Sequence, residues 1–283
     1  MSNGYVFITG TSSGIGEATA RHLASLGFNV FAGVRKQEDA ERIAGPRVEA
    51  VIVDVVDNDS VAAAAEQIGA AVGNAGLAGL VNNAGIAVAG PLEFLPIEEF
   101  QRQLEVNVTG VVRTTQAMLP LIRKARGRIV NMSSVGGRVA LPMVAPYNAS
   151  KFALEGLSDA LRRELRPWGI QVALIEPGAV ATPIWAKSEA AAEEIERHAP
   201  PEARELYGEV MDAIRKESDK NKTEGVPPQE VAEAVAHSLT ASKPKTRYVV
   251  GRDAKMRVSM AAVLPDRVMD AAISRALGQR KAG

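Results

Sequence analysis

Short runs of apolar residues recur along the first 250 residues, and stretches with helical periodicity separate them. The runs are continuously apolar and do not alternate with polar positions, which is typical of parallel strands buried on both faces. The predicted strands span residues 5–9, 29–33, 51–53, 80–81, 128–131, 171–175 and 248–250. The predicted helices between them span residues 17–26, 60–71, 97–124, 149–166 and 229–240.

This alternation of strands and helices predicts an α/β fold. Seven strands joined through helices form a Rossmann-type, doubly wound parallel sheet in a three-layer α/β/α arrangement. Such sheets bind ligands at the carboxyl ends of their strands. No internal repeat or linker interrupts the pattern, so we expect a single domain over residues 1–283.

Two segments depart from the alternation. Residues 184–228 are polar and rich in Ala and Glu, which predicts a helical insertion that acts as a mobile lid over a substrate. The tail, residues 252–283, is predicted to contain one amphipathic helix. Its apolar side consists of Val268, Met269, Ala272, Ile273, Ala276 and Leu277.

The bulk composition narrows the class of protein. Thirty-three basic residues balance thirty-three acidic ones without a long run of either sign, which argues against nucleic acid as a partner. The chain has no cysteine, so disulfides and thiol catalysis are excluded. No apolar run reaches the eighteen or so residues of a membrane span, and a strand beginning at Tyr5 leaves no room for a signal peptide. We therefore expect a cytoplasmic protein.

A glycine-rich turn follows the first predicted strand. The motif Thr9-Gly-Thr-Ser-Ser-Gly-Ile-Gly16 places three glycines where the strand passes into a helix. Such a turn lets the backbone approach a pyrophosphate, and amides at the helix N-terminus hold the anion. The alternative is that the glycines only allow the helix to pack on the strand.

The second predicted strand ends in Val34-Arg35-Lys36. An NAD-binding unit places an acidic residue there for the ribose hydroxyls, whereas an arginine suits the 2′-phosphate of NADP. The acid is absent, so we expect NADP with Arg35 as its phosphate ligand, and NAD as the second candidate. The alternative is that both cations are simply solvated.

A tyrosine and a lysine lie four residues apart at the start of a predicted helix. Tyr147 and Lys151 share one helix face, and a nearby ammonium is expected to lower the pKa of the phenol. The tyrosine could then exchange a proton with an alcohol or carbonyl. Ser134 follows the fifth strand, and Pro177-Gly178 follows the sixth at the same edge, so we expect these groups to meet.

These motifs, with Asn82-Asn-Ala-Gly85 and Asn107, resemble the short-chain dehydrogenase/reductase family in order and spacing over about the first 250 residues. The resemblance implies hydride transfer between a nicotinamide and an alcohol or carbonyl substrate, without a metal. It implies a catalytic tetrad of Asn107, Ser134, Tyr147 and Lys151. By this resemblance, Asn107 would anchor a water in the proton path, and Ser134 would bind the substrate oxygen. Tyr147 would act as acid or base, and Lys151 would hold the nicotinamide ribose.

The resemblance also implies the cofactor contacts. Asp54 would bind the adenine edge, Asn83 the adenosine ribose region and Thr182 the nicotinamide carboxamide. The full set is Gly10, Ser12, Ser13, Gly14, Ile15, Gly16, Arg35, Asp54, Val55, Asn83, Ala84, Gly85, Tyr147, Lys151, Pro177, Gly178, Val180 and Thr182.

The region around residues 244–248 and the long tail are similar to a branch that includes estradiol 17β-hydroxysteroid dehydrogenase and some retinol dehydrogenases. Leu141, Pro142, Met143 and Val144 could form an apolar wall for a small apolar alcohol or ketone, or they could simply pack a loop. We expect a homodimer or homotetramer. Two other functions stay open: a non-catalytic cofactor-binding sensor or scaffold, and peripheral membrane contact through the tail.

Overall fold

The computed structural model describes residues 3–278, and seven parallel strands in this part of the chain form one sheet. The strand order is β3-β2-β1-β4-β5-β6-β7, which confirms the predicted fold class. The strands are β1 Tyr5–Ile8, β2 Asn29–Val34, β3 Val48–Ile52, β4 Gly79–Asn82, β5 Arg128–Met132, β6 Gln171–Pro177 and β7 Arg247–Val250.

Helices cover both faces of the sheet. They are α1 Gly14–Ser25, α2 Gln37–Ile43, α3 Asn58–Val72, α4 Ile97–Leu104, α5 Gly110–Ala125, α6 Ala145–Leu165, α7 Ile184–His198, α8 Pro201–Glu224, α9 Pro228–Thr240, α10 Arg252–Val263 and α11 Asp266–Ala276. Residues of α1, α2 and α9 belong to one buried cluster, and residues of α3 and α5 belong to the other.

Strand β1 shows why its sequence does not alternate between polar and apolar residues. Val6 and Ile8 pack into the cluster with α1 and α9, whereas Phe7 packs into the cluster with α3 and α5. All three side chains have no exposed surface. Because successive side chains point to opposite faces, a strand covered on both faces is apolar throughout.

The chain reverses its direction of winding at β1. This strand pairs with β2 on one side and with β4 on the other, in the registers Val6–Val30 and Val6–Gly79. Doubly wound sheets bind ligands at the carboxyl edge beside such a switch in strand order.

The long helix predicted over residues 97–124 is interrupted. A π-helical turn, Glu105–Thr109, separates α4 from α5. Such insertions of one residue often occur at functional sites, and Asn107 lies inside this one. The short, mostly polar helix α2 is also absent from the sequence prediction, and β3 begins three residues earlier than predicted.

The prediction of one helix in the tail is wrong for the described residues. Two helices, α10 and α11, follow β7, and Pro265 separates them. Proline cannot continue the preceding helix, because it lacks an amide donor and its ring clashes with the turn before it. Five of the six predicted apolar residues lie in α11, and Leu277 follows directly as its C-cap.

The predicted insertion, residues 184–228, contains two helices, α7 and α8, that meet at Pro200-Pro201. Whether they move as a lid stays a prediction. Within residues 3–278, no helix is both long enough and apolar enough to span a bilayer.

Candidate active site

The glycine-rich turn has the geometry that an anion site needs. Gly10 and Gly14 have φ angles of +69° and +60°, a region that side chains disfavour. A Cβ at Gly16 would lie 2.2 Å from the Gly10 carbonyl oxygen, so only glycine fits. Ser13 precedes α1 without capping it through its side chain, so the amides of the first turn are available to an anion. This turn fits a dinucleotide pyrophosphate.

Asn83 fixes this turn from the neighbouring strand. Its Nδ2 donates to the carbonyl oxygens of Thr9 and Gly10, both at 2.9 Å. In return, Thr9 Oγ1 accepts from the amides of Asn83 and Ala84 at 3.0 Å. The side chain of Asn83 therefore joins the loops after β1 and β4, and Thr182 contacts the same turn beside Gly14.

The end of β2 carries no carboxylate. Val34 is buried, and Arg35 and Lys36 are exposed. Arg42, which the sequence prediction missed, pairs with Asp39 at 2.9 Å and also donates to the Ser12 carbonyl oxygen in the glycine-rich turn. Arg42 also pairs with Glu17 at 3.2 Å, so this arginine is shared between two carboxylates beside the glycine-rich turn.

Asp54 and Val55 form a fixed loop after β3. The Asp54 carboxylate accepts from the Val56 amide at 3.2 Å, and the Asp54 amide donates to Ser60 Oγ at 2.9 Å. Arg113 donates to the Val55 carbonyl oxygen at 2.6 Å. These bonds place the loop at the same carboxyl edge as the glycine-rich turn.

Ser134, Tyr147 and Lys151 meet at the carboxyl end of β5. Ser134 Oγ accepts from the Gly136 amide at 3.0 Å and donates to the Pro177 carbonyl oxygen at 3.5 Å, and the side chains of Ser134 and Tyr147 line the same cavity. Lys151 Nζ lies 5.6 Å from the centre of the Tyr147 ring and donates to the Met132 carbonyl oxygen at 2.7 Å. The three predicted side chains therefore lie together.

Burial controls the protonation of this group. It raises the pKa of Tyr147, and the nearby Ser134 hydroxyl opposes that shift only in part. The expectation that Lys151 sets a lowered pKa for the phenol is therefore wrong, because the cost of placing a phenolate in a poorly solvated site is larger. Burial also lowers the pKa of Lys151 to about 8, opposed by the nearby Glu155 carboxylate.

Asn107 does not face solvent. Its Oδ1 accepts from the Ile86 amide at 2.9 Å, and its Nδ2 donates to the Ile86 carbonyl oxygen at 3.0 Å and to Ser150 Oγ at 3.2 Å. Ser150 Oγ donates in turn to the Tyr147 carbonyl oxygen at 2.7 Å. The π-helical turn is thereby connected to the helix that carries Tyr147 and Lys151.

A charged cluster that the sequence prediction missed lies beneath these residues. Glu155 accepts from Ser133 Oγ at 2.5 Å and pairs with Arg247 at 2.9 Å. Glu176 is fully buried and lies 3.2 Å from Arg247 and 3.4 Å from Arg138. Burial and the Glu155 carboxylate raise the pKa of Glu176 to about 7.

A cavity of about 290 Å³ opens directly in front of Ser134 and Tyr147. Leu141, Met143 and Val144 line it, but Pro142 does not, which corrects one of the four predicted wall residues. Helices α7 and α8 close the opposite side of the cavity with apolar side chains that include Trp185, Ile195, Met211 and Ile214. The cavity also reaches Pro177, Gly178, Val180 and Thr182.

Comparisons with known families agree with this geometry. Residues 4–193 match the short chain dehydrogenase family model. The chain is 41% identical over 275 residues to retinol dehydrogenase 16 of Homo sapiens, covering 94% of this chain and 86% of that protein. It is 39% identical over 274 residues to NADPH-dependent 3-dehydrocapnine reductase of Ornithobacterium rhinotracheale, covering 94% of each.

A solved structure extends the comparison to the fold. A short chain dehydrogenase from Burkholderia cenocepacia J2315 in complex with NADP has a TM-score of 0.73 at 27% identity. The match covers 96% of this chain and 97% of that one.

The protein therefore belongs to the short-chain dehydrogenase/reductase family and is an oxidoreductase. The predicted similarity to the retinol and steroid dehydrogenase branch is also confirmed. The comparisons therefore favour an enzyme over a non-catalytic sensor or scaffold.

Proposed function

We propose that the protein is an NADP(H)-dependent enzyme that interconverts an apolar alcohol and its carbonyl compound, with Tyr147 as the general acid and base. The observation that carries this proposal is the position of Ser134 and Tyr147, side by side at the wall of a mostly apolar cavity. A substrate oxygen that reaches both hydroxyls would leave its apolar part among Met143, Trp185 and the other lining residues.

The chain's own residues account for the movement of the proton. When bound, the nicotinamide supplies or accepts the hydride. Ser134 donates to the substrate oxygen as negative charge develops there, and Tyr147 delivers its proton to the same atom. Lys151, held by the Met132 carbonyl oxygen, stabilises the phenolate that remains. In alcohol oxidation the phenolate of Tyr147 takes the proton instead.

The raised pKa of Tyr147 keeps the phenol protonated near neutral pH. A phenol that keeps its proton is already in the form that carbonyl reduction requires, whereas alcohol oxidation requires the phenolate.

The preference for NADP rests on the end of β2. Val34 stands where a carboxylate would repel a 2′-phosphate, and Arg35 offers a planar, fully charged donor group that can grip phosphate oxygens in pairs. Arg42 pairs with Asp39 of α2 and donates to the Ser12 carbonyl oxygen, so this carboxylate is compensated beside the glycine-rich turn. The NADPH-dependence of the 39% identical 3-dehydrocapnine reductase supports the proposal.

Thermal shift with NADPH and NADH, followed by an assay of apolar ketones and sterols at 340 nm, tests this function. We expect stronger stabilisation by NADPH and turnover of at least one apolar carbonyl compound. Val34→Asp with Arg35→Ala should reverse the preference, because charge-assisted bonds to phosphate contribute about 1.5–3 kcal/mol. Lys36→Ala, a matched change at the same exposed turn, should retain the preference for NADPH. A wild-type preference for NADH would contradict the assignment of Arg35.

A homodimer or homotetramer, a cytoplasmic location and peripheral membrane contact by the tail remain predictions.

A further inference from the structure

A second cavity, of about 520 Å³, lies at the opposite edge of the sheet from the active site. It opens where β5, β6 and β7 begin, and its wall includes Ile129, Gln171 and Thr246. Strand β6 has seven residues, so at about 3.3 Å per residue this cavity is roughly 20 Å from the catalytic edge. The cavity is therefore separate from the cofactor and substrate sites.

The charged residues that line this second cavity are all basic. Among the described residues of its wall there is no aspartate or glutamate. The basic residues are Arg128, Arg162, Arg163, Arg166 and Lys245. They come from the start of β5, the end of α6 with the turn after it, and the loop before β7, so the fold brings together cations that lie far apart in sequence.

The surrounding carboxylates neutralise only part of this charge. Asp159 pairs with Arg162 at 2.5 Å and lies 4.0 Å from Arg163, but it is also 3.1 Å from Arg247. Within residues 3–278, the side chains of Arg166 and Lys245 have no hydrogen-bonded or ion-paired partner. The wall of the cavity therefore keeps a net positive charge.

The positive charge of Arg128 is costly to bury when no ligand is bound. Its guanidinium donates to the carbonyl oxygens of Ser238 and Ala241, both at 2.7 Å, at the C-terminal end of α9. Those carbonyls offer only partial negative charge, so the arginine is partly buried without a carboxylate. Burial lowers the pKa of Arg128 accordingly. A bound anion would lower the free-energy cost of burying the Arg128 guanidinium.

We propose that this cavity is a binding site for a ligand that carries phosphate groups. Arginine forks match phosphate oxygens in pairs, and several uncompensated cations match the multiple charges of a pyrophosphate better than the single charge of a carboxylate. A soluble phosphate ester and the headgroup of an anionic phospholipid present the same chemistry. Trp168, in the turn between Arg166 and Gly169, is 47% exposed and would lie at the interface in the second case.

Calorimetric titration of the full chain with inorganic pyrophosphate, at low salt and with saturating NADPH to fill the nucleotide site, tests the proposal. We expect binding that is weakened at least about tenfold by Arg166→Ala with Lys245→Ala, because two charged contacts are lost. Lys255→Ala with Arg267→Ala removes the same charge from exposed positions in the tail and should leave the affinity within about twofold.

Arg163→Gln provides a second variant for this titration, because the side chain is 71% exposed and its loss cannot disturb the core.

Sedimentation with vesicles of phosphatidylcholine, with and without phosphatidylserine, separates the two sources of phosphate. Binding to the anionic vesicles that Arg166→Ala with Lys245→Ala abolishes assigns the site to a headgroup, and binding of pyrophosphate alone assigns it to a soluble ligand. Absence of both, or equal weakening by the two double variants, would overturn the proposal.

Discussion

At the scale of single residues, burial rather than a neighbouring charge sets the chemistry of the proposed acid. Lys151 lies close to Tyr147, yet the ammonium itself is poorly solvated and its pKa falls to about 8. A lysine in that state is still mostly charged at pH 7 and becomes neutral only above pH 8. The pair therefore keeps a protonated phenol beside a cation, which is the arrangement that carbonyl reduction requires.

Tyr147→Phe tests this role directly. We expect carbonyl reduction to slow by about 10²–10⁴-fold, because the substitution removes the transferable proton and little else. The dissociation constant of NADPH should stay within about twofold, measured by fluorescence titration. Tyr5→Phe, at the far end of β1, is the control and should retain the wild-type rate. A Tyr147→Phe enzyme with a tenth of the wild-type rate would exclude the assignment.

At the scale of elements, helices α7 and α8 are held to the rest of the molecule by few polar contacts. Ser188 Oγ donates to the Ala87 carbonyl oxygen at 2.7 Å, and the Tyr207 hydroxyl donates to Glu93 at 2.6 Å. Most of their ion pairs, such as Lys222–Glu189 at 2.5 Å, lie within the insertion itself. We therefore expect this unit to open without disturbing the sheet.

Limited proteolysis with trypsin tests whether this unit is a lid. We expect the first cut within residues 184–228, and we expect NADPH with a substrate analogue to slow it at least about fivefold by closing the helices over the cavity. Cleavage after Lys255 or Arg267, in the exposed tail, provides an internal control that the ligands should leave unchanged. Equal cutting of the insertion with and without ligands would indicate a static surface insertion.

The sequence alone predicted the elements that are marked by residues close together along the chain. Apolar runs located all seven strands, and the glycine turn and the Tyr147–Lys151 spacing identified residues that the fold brings to one edge. The π-helical turn was not predictable, because it depends on Asn107 bonding to Ile86 across the chain. The contact of Arg42 with the glycine turn and the pairing of Glu155 with Arg247 are likewise products of tertiary packing.

At the scale of the whole molecule, one buried charged cluster joins the elements that carry the active site. Glu155 belongs to α6, Glu176 to β6 and Arg247 to β7. Within the described chain, Glu176 Oε2 has no hydrogen-bond partner. In the folded protein, Arg138 and Arg247 therefore compensate the negative charge of Glu176 only in part. Because of this, proton binding by Glu176 is linked to folding.

This linkage predicts how stability depends on pH. The pKa of Glu176 is about 7 in the folded protein and 4.5 in the reference state, so the folded form binds the proton more tightly. Its contribution is fully present below pH 4.5 and is lost as the pH rises through about 7, amounting to roughly 3 kcal/mol at most.

Glu176→Gln removes the titrating group at nearly constant volume. The variant should therefore not lose this stability as the pH rises through about 7. The free energy of unfolding of the variant, relative to the wild type, should therefore rise by up to roughly 3 kcal/mol between pH 5 and pH 8, measured by urea denaturation. The slope is the informative quantity, because a glutamine amide beside Arg138 and Arg247 lowers stability at every pH. Glu164→Gln, at an exposed position on α6, should follow the wild-type pH dependence. Parallel curves for Glu176→Gln and the wild type would mean that the carboxylate is already ionised at pH 5 and that its two arginines compensate it fully.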